Sequence, residues 1–236
     1  MSTVLAIDCC LKITGVALMI DGVILDSEQQ DLGRKQTAEL PLMVKGMLER
    51  NDVAFDALDY VALTNGPGYF TGIRVGAAYA SGLAYASGAK VIPISSLNML
   101  VESYRLFGHE DTSIQSELNT PAENHMLFTR ENTSAKSERS GKILAVVYAG
   151  HGYVYAECQE LLAAGEYTLD EIREWLMKNP DAVVISDDPE RSGISEAVRV
   201  RPSISALCEL ANNRLNEAIP PLELKISYYR APQGVQ

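Results

Sequence analysis

The sequence is poor in the residues and spacings on which most known catalytic sites depend. Its 236 residues include three histidines and four cysteines, and neither a CxxC nor an HExxH spacing occurs. No zinc or metalloprotease site can therefore be assembled. The GxxxxGK(S/T) and GxGxxG spacings of nucleotide-binding loops and the GxSxG nucleophile elbow are absent as well. We expect no catalytic residues and no metal site.

Long apolar runs and a secretory leader are also missing from the sequence. No stretch approaches the roughly 18 apolar residues that span a bilayer. The opening MSTVLAIDCC lacks the basic segment of a signal peptide, and four cysteines, two of them adjacent, do not make a disulfide framework. We therefore expect a cytoplasmic protein with reduced thiols and no membrane partner.

Basic charge is in deficit, with 20 Lys and Arg against 31 Asp and Glu and a net charge of −11. A protein that holds nucleic acid by itself usually presents a basic face, because binding gains from the release of counterions. We therefore expect any work on nucleic acid to go through a basic partner. The apolar fraction of 47% is that of an ordinary globular protein.

Hydrophobic periods and turn signals predict alternating strands and helices. Strands are predicted at residues 4–7, 16–20, 23–25, 60–63, 91–94, 143–147, 153–157 and 182–185. Helices are predicted at residues 37–50, 71–87, 96–104, 169–177 and 203–215. Asp21-Gly22 is a strong hairpin signal, Thr71 is the predicted cap of the second helix, and Gly88 its end. This order predicts an α/β architecture in two related halves, the second one reduced.

A shift in composition divides the chain. Residues 107–141 are rich in Glu, Ser, Thr and Asn without a sustained period, as is typical of an elaboration on a core. We predict an N-terminal lobe at residues 1–103, a polar insertion at residues 104–141, and a smaller C-terminal lobe with its tail at residues 142–236.

The most specific motif is NGPGYFTGIRVG at residues 65–76. Glycines allow close backbone approach, and free N–H groups at a helix start favour anions, so the segment could bind a phosphate. It could also be a turn followed by tight helix packing or partner docking, since small residues continue through Gly82 and Ala84. Both interpretations stay open, with Gly66, Gly68 and Thr71 as weak candidates for cofactor binding.

A second candidate is Asp8, at the end of the first predicted strand. Actin-like ATPases place a metal-associated phosphate loop there, but a turn-capping aspartate fits as well. Cys9 and Cys10 follow where such enzymes have small hydroxyl or glycine residues, and we expect half-buried apolar groups rather than nucleophiles. An ATPase or sugar kinase that uses Asp8 and residues 66–72 is therefore the alternative function. Residues 187–190, DDPE, are expected to form a solvated loop.

These segments, at this spacing, resemble the bacterial TsaB (YeaZ) family. Its members open with an LAID strand and hairpin, found here at residues 5–8, and carry a GPGSFTGLRIG-like loop that stands here as GPGYFTGIRVG at residues 66–76. Residues 91–97, VIPISSL, resemble the family's next strand and helix start. The resemblance is strong to about residue 103 and weaker beyond it.

The resemblance implies a two-lobed actin-like, sugar-kinase-like fold (ASKHA, ribonuclease H-like). It also implies a non-catalytic role in making threonylcarbamoyladenosine at position 37 of tRNAs that read codons beginning with A. The implied partners are a TsaD-type catalytic paralogue, a TsaE-type ATPase and a second copy of the chain when it is alone, with tRNA reached only through the complex. No intrinsic cofactor is implied, and a nucleotide at the interface with partners is left open. The family's former glycoprotease label finds no support in these residues.

Several positions depart from the family pattern. Tyr69 stands where the family usually has serine, and Tyr148 and Tyr153 stand where it often has aspartate and glutamate. A histidine typical of the first long helix is replaced by Gln36 or Thr37. These changes lead away from catalysis and leave the role of a scaffold intact.

The first two long helices carry more apolar and small residues than one core stripe requires. Two such helices from each of two chains could form a four-helix bundle, and the same patch would serve a homodimer. The predicted interface residues are Leu40, Met43, Met47, Ile73, Ala77, Ala80 and Ala84.

Overall fold

Two five-stranded sheets repeat one strand order along the chain. The computed structural model describes residues 2–108 and 141–229. The first sheet, of order β3-β2-β1-β4-β5, comprises β1 (Thr3–Asp8), β2 (Thr14–Ile20), β3 (Val23–Gln30), β4 (Tyr60–Thr64) and β5 (Lys90–Ile94). The second, of order β8-β7-β6-β9-β10, comprises β6 (Ile143–Gly150), β7 (Tyr153–Cys158), β8 (Leu162–Thr168), β9 (Val183–Ser186) and β10 (Val198–Arg199).

In both sheets the first three strands are antiparallel and the last two run parallel to the first. The hairpin turn at Asp21-Gly22 has φ values of 49° and 79°, and the turn at His151-Gly152 has 52° and 81°. Such positive values match the right-handed twist of the paired strands. The duplicated order confirms the predicted α/β fold of two related halves.

The described helices follow the predictions closely in the first half and less closely in the second. They are α1 (Gln36–Arg50), α2 (Phe70–Ser87), α3 (Ser96–Phe107), α4 (Leu169–Lys178), α5 (Pro189–Ser192) and α6 (Ile204–Asn212). Short 3-10 turns lie at Gly33–Lys35, Phe55–Ala57, Leu215–Glu217 and Pro221–Glu223. Among the described residues, the second half thus has shorter helices than the first, with 10, 4 and 9 residues against 15, 18 and 12, but the same number of strands.

Some local predictions were wrong. Tyr69, not Thr71, is the N-cap of α2, and no side chain caps that helix. The sequence analysis missed β8, β10 and α5. Most of the predicted insertion at residues 104–141 lies outside the described residues, so it stays a prediction, as do the domain boundaries.

The two faces of the first sheet are covered by different helices. Leu5 and Ile7 point to the face packed by α1 and α2, whereas Val4 and Ala6 point to the face packed by α6 and α3. Both faces of β1 and β2 are therefore buried. In the second sheet β7 alternates between buried and half-buried residues, as expected where one face is only partly covered.

The helices α3 and α6 join the two lobes into one core. α6 follows the second sheet in the chain but packs on strands of the first, and α3 precedes the second sheet but contacts β6 and β9. One hydrophobic cluster consequently contains Ala6 of the first sheet and Ala145 of the second. No helix among the described residues is long and apolar enough to cross a membrane.

Candidate functional site

Asp8 lies at the end of β1, buried at the junction of the lobes with 1% of its surface exposed. Its Oδ1 accepts hydrogen bonds from the Thr64 hydroxyl at 2.5 Å and from the Cys10 N–H at 3.0 Å. Burial raises the pKa of the Asp8 carboxyl to about 6, although both hydrogen bonds act to lower it. The carboxyl is thus engaged within the chain, in the manner of a turn cap.

The glycine-rich loop packs backbone against backbone on the β1–β2 turn. A methyl group at Gly68 would overlap the carbonyl oxygen of Cys10, and one at Gly72 would overlap that of Cys9. The Tyr69 N–H donates to the same Cys10 carbonyl at 2.8 Å. The close approach that a phosphate would require at these glycines is therefore taken by the chain itself.

The remaining cofactor candidates of this loop have different surroundings. The carbonyl of Gly66 accepts from the Ser96 N–H at 3.0 Å, and a methyl group at Gly66 would lie 2.8 Å from the Ser227 carbonyl oxygen. Thr71, in the first turn of α2, is exposed. Of the four candidates, Thr71 is exposed, Gly68 is half-buried, and Asp8 and Gly66 are buried.

Both cysteines of the turn are fully buried rather than half-buried, with 1% and 0% of Cys9 and Cys10 exposed. Burial raises the pKa of both thiols, and the neighbouring Asp8 carboxylate adds to the effect. The Cys10 thiol donates to the Thr64 carbonyl at 3.2 Å. Neither sulfur is available as a thiolate nucleophile.

Gln36, one of the two residues aligned with the family's histidine, connects α1 to β2. Its Nε2 donates to the Thr14 hydroxyl at 2.9 Å. Among the described residues, no group of three His, Cys, Asp or Glu side chains could hold a metal ion.

Tyr69 of the first lobe and Tyr148 of the second, two departures from the family pattern, both contact Arg191. The sequence analysis did not predict a role for Arg191. The Arg191 guanidinium donates to the Tyr69 hydroxyl at 2.8 Å and lies 4.6 Å from the ring centre of Tyr148 and 5.1 Å from that of Tyr69. The two tyrosines were the only signal for this contact. Tyr153 instead lies at the start of β7, opposite Thr168.

The segment at residues 187–190 is not a fully solvated loop, contrary to the prediction. Asp187 is half-buried, and burial raises the pKa of its carboxyl to about 6, with further contributions from Asp188 and from Asp8 of the first lobe. Asp188 caps α5 by accepting from the Arg191 N–H at 3.3 Å.

The seven predicted interface residues all lie in the core of the chain, where none is more than 6% exposed. The first two helices are wide in apolar residues because they pack on the sheet and on each other. Their exposed positions are different ones. Among them are Leu42 of α1 and Arg74, Ala78, Gly82 and Tyr85 of α2.

The C-terminal tail returns to the first lobe and lies beside the glycine-rich loop. Ile219 and Val91 exchange both backbone hydrogen bonds at 2.8 Å, and the Ser227 N–H donates to the Asn65 carbonyl at 2.9 Å. The tail therefore borders both the edge strand β5 and the start of α2.

Comparisons with known proteins agree with this architecture. The family model described as "TsaD: tRNA N6-adenosine threonylcarbamoyltransferase" matches residues 30–116. The chain is 34% identical over 102 residues to the Haemophilus influenzae tRNA threonylcarbamoyladenosine biosynthesis protein TsaB, covering 43% of this chain and 42% of that protein. It is 30% identical over 99 residues to Escherichia coli TsaB, covering 42% of each. The matches thus span less than half the length of these curated relatives.

The likeness of fold extends over nearly the whole chain. A Pseudomonas aeruginosa crystal structure described as similar to peptidase YEAZ superposes with a TM-score of 0.74 at 22% identity, covering 98% of this chain and 100% of that one. YeaZ from the same organism superposes with a TM-score of 0.68 at 23% identity, covering 97% and 100%. The chain is thus similar in sequence to TsaB proteins over its first lobe and similar in fold to YeaZ along nearly its whole length.

Proposed function

We propose that the chain is a non-catalytic subunit required for threonylcarbamoyl transfer to adenosine 37 of tRNAs that read codons beginning with A. It acts in the cytoplasm by docking to a TsaD-type catalytic paralogue, which a TsaE-type ATPase joins. The names of the curated relatives support the pathway, and the match of residues 30–116 to the TsaD model supports kinship with the partner. tRNA is reached through the complex, in keeping with a net charge of −11.

The burial of Asp8 is the observation that supports this proposal most directly. An actin-like ATPase needs this carboxylate open to a metal-bound phosphate, but here it is 1% exposed and engaged with Thr64 and Cys10. The glycines that would cradle the phosphate lie against the backbone of Cys9 and Cys10. The same geometry argues against the alternative ATPase or kinase. A peptidase is disfavoured because both thiols of this turn are buried.

The proposed docking surface is the exposed side of α2 together with the exposed surface of α1. Ala78 and Gly82 are small and exposed, so a helix of a partner can approach α2 closely. Leu42 on α1 is 62% exposed and supplies further apolar area. The seven buried residues predicted for the interface support this surface from beneath. The same face can pair two copies of the chain when the partner is absent.

The test is light scattering after size exclusion of the chain mixed with the TsaD-type protein of the same organism. We expect a 1:1 complex that replaces the self-dimer. Ala78→Glu should abolish it with no change in melting temperature, because the side chain is exposed. Ala77 and Ala80 are unsuitable for this test, since a buried charge there would disrupt the fold.

The matched control is Ala163→Glu on the exposed surface of β8, which should leave the complex intact. No complex between the unmodified chain and a folded partner would sink the proposal. Saturable ATP hydrolysis by the chain alone, lost in Asp8→Ala, would instead favour the ATPase.

A further inference from the structure

Six aromatic side chains from both lobes and the tail form a band across the junction of the lobes. This band, called the aromatic seam below, consists of Tyr69, Phe70, Tyr148, Tyr155, Tyr228 and Tyr229. The rings of Phe70 and Tyr228 are 5.7 Å apart, and those of Tyr155 and Tyr229 are 6.0 Å apart. Two arginines lie against these rings. The Arg74 guanidinium is 3.8 Å from the centre of the Phe70 ring, and Arg191 lies beside Tyr69 and Tyr148.

The outer part of the seam is open to solvent. Phe70 is 44% exposed, Tyr228 is 40% exposed and Tyr229 is 36% exposed. Exposed tyrosine, phenylalanine and arginine side chains in one patch are the composition of protein interfaces and of their energetic hot spots. The tail fixes this patch, since the Tyr228 hydroxyl accepts from Arg74 Nε at 3.0 Å.

The charges of the seam indicate what it can bind. Arg74 and Arg191 form no ion pair with any described residue, whereas Arg50, Arg173 and Arg199 do. Within the described chain, Arg74 donates only its Nε–H, to Tyr228. Its two Nη groups are therefore left for an external acceptor, and a guanidinium edge of this kind fits a carboxylate in a bidentate manner.

We propose that the aromatic seam docks a protein partner through a segment that presents one carboxylate side chain between apolar residues. The carboxylate binds the Nη groups of Arg74, and the apolar neighbours pack on Phe70 and Tyr228. The single guanidinium of Arg74 is enough to bind a single carboxylate. RNA, with a charge on every phosphate, requires a broad basic surface, and this acidic chain places Asp187 and Asp188 next to the seam.

The seam continues the docking face of α2. Arg74 precedes Ala78 by one helical turn, and both are exposed, so a partner that covers the length of α2 reaches Phe70 and the tail. This inference rests on the proposed function for the identity of the partner. It adds the surface by which the first turn of α2 and the tail recognise that partner.

The experiment measures the Kd between the full-length chain and the TsaD-type protein of the same organism by biolayer interferometry. Arg74→Glu and Phe70→Ala should each raise the Kd by about tenfold or more. Arg74→Lys should give an intermediate value, because it keeps the charge and loses the bidentate geometry. The matched controls on α4, Arg173→Glu and Met177→Ala, should leave the Kd unchanged.

The outcomes separate this inference from the proposed function. If Ala78→Glu abolishes binding while Arg74→Glu and Phe70→Ala bind as the unmodified chain does, the seam is not a docking surface and the proposed function stands. If the unmodified chain does not bind, both fall. A tRNA mobility shift by the chain alone that Arg74→Glu removes would assign the seam to RNA and overturn the proposal. Melting temperatures of all variants, expected to match that of the parent, exclude misfolding as the cause.

Discussion

Five residues, 9–13, separate β1 from β2, whereas only His151-Gly152 separates the matching strands β6 and β7. The longer turn of the first lobe lies against the backbone of the glycine-rich loop that follows β4. In the second lobe, β9 occupies the place of β4 and leads into the one-turn helix α5. There the contact across the lobes is made by the side chain of Arg191.

At the junction of the lobes, the glycine-rich loop of the first lobe thus makes main-chain contacts, whereas α5 of the second lobe makes a side-chain contact. Main-chain contacts cannot adjust when an atom is added, because the atoms they meet belong to strands and turns held on both sides. Side-chain contacts can rearrange or be replaced by water. Equal changes at the two places should therefore have unequal effects, which the following substitutions measure.

The largest effect is expected at Gly72. A methyl group there overlaps the Cys9 carbonyl oxygen, so Gly72→Ala should lower the free energy of unfolding by about 3 kcal/mol or more. Gly82 lies in the same helix with no atom in the way of a methyl group, and Gly82→Ala should raise stability by about 0.5–1 kcal/mol. Urea unfolding compares the two, and effects of the same sign would refute the account of main-chain packing.

An intermediate effect is expected from the charge of Asp8, whose pKa of about 6 in the folded chain exceeds the ordinary 3.8. The folded state then binds more protons than the unfolded state between these values, so this group costs stability as the pH rises from about 4 to 6. Asp8→Asn removes that cost and keeps a hydrogen-bond acceptor. The stability of the variant relative to the parent should increase by about 1–3 kcal/mol between pH 4 and pH 7.

Asp26 supplies the control of opposite sign. Burial acts against its ionisation, but hydrogen bonds from Arg50 and Asn51 hold the pKa of its carboxyl below the ordinary value. The stability it contributes is present above that value and lost as the pH falls. Asp26→Asn should therefore lower the free energy of unfolding at pH 7 and lower it less at pH 3.

The Asp8 prediction has its own contrary outcome. If the stability of Asp8→Asn changed with pH in parallel with that of the parent, the assignment of a buried carboxylate would be wrong.

The smallest effect is expected at Arg191. Its loss removes one hydrogen bond and two ring contacts at a surface position, so Arg191→Ala should cost about 1 kcal/mol or less in thermal unfolding. Arg173→Ala on α4 serves as the exposed reference. A loss as large as that of Gly72→Ala would mean that side chains hold the second lobe as firmly as main chain holds the first.

The sequence predicted the parts of the fold that local chemistry determines. Short apolar runs marked β1 and β2, Asp21-Gly22 marked the hairpin between β2 and β3, and Gly88 marked the end of α2. β8, LAAGEYT, was missed because alanine and glycine give it little strand propensity. β10 has two residues, too few for a hydrophobic period to mark, and pairs in parallel with β9.

The candidate site was predictable in its residues but not in its contacts. Asp8 and the glycines were identified from the sequence, yet only the structure reveals the carbonyl oxygens that fill the space between them. Arg191 lies in a short helix without any pattern that points to Tyr69, 122 positions earlier. Contacts between residues so far apart in sequence depend on how the two lobes pack. No local hydrophobic period in the sequence predicts that packing.

The return of the tail to the first lobe determines when that lobe can be completed during synthesis. Asn65 donates to the carbonyl of Lys225, 160 positions later, and α6 covers the face of the first sheet that carries Val4 and Ala6. A nascent chain halted before residue 204 would therefore expose an apolar sheet face to its surroundings. The packing of the first lobe is therefore completed only after α6 and the tail to Ser227 have been synthesised, and until then its exposed apolar face favours aggregation.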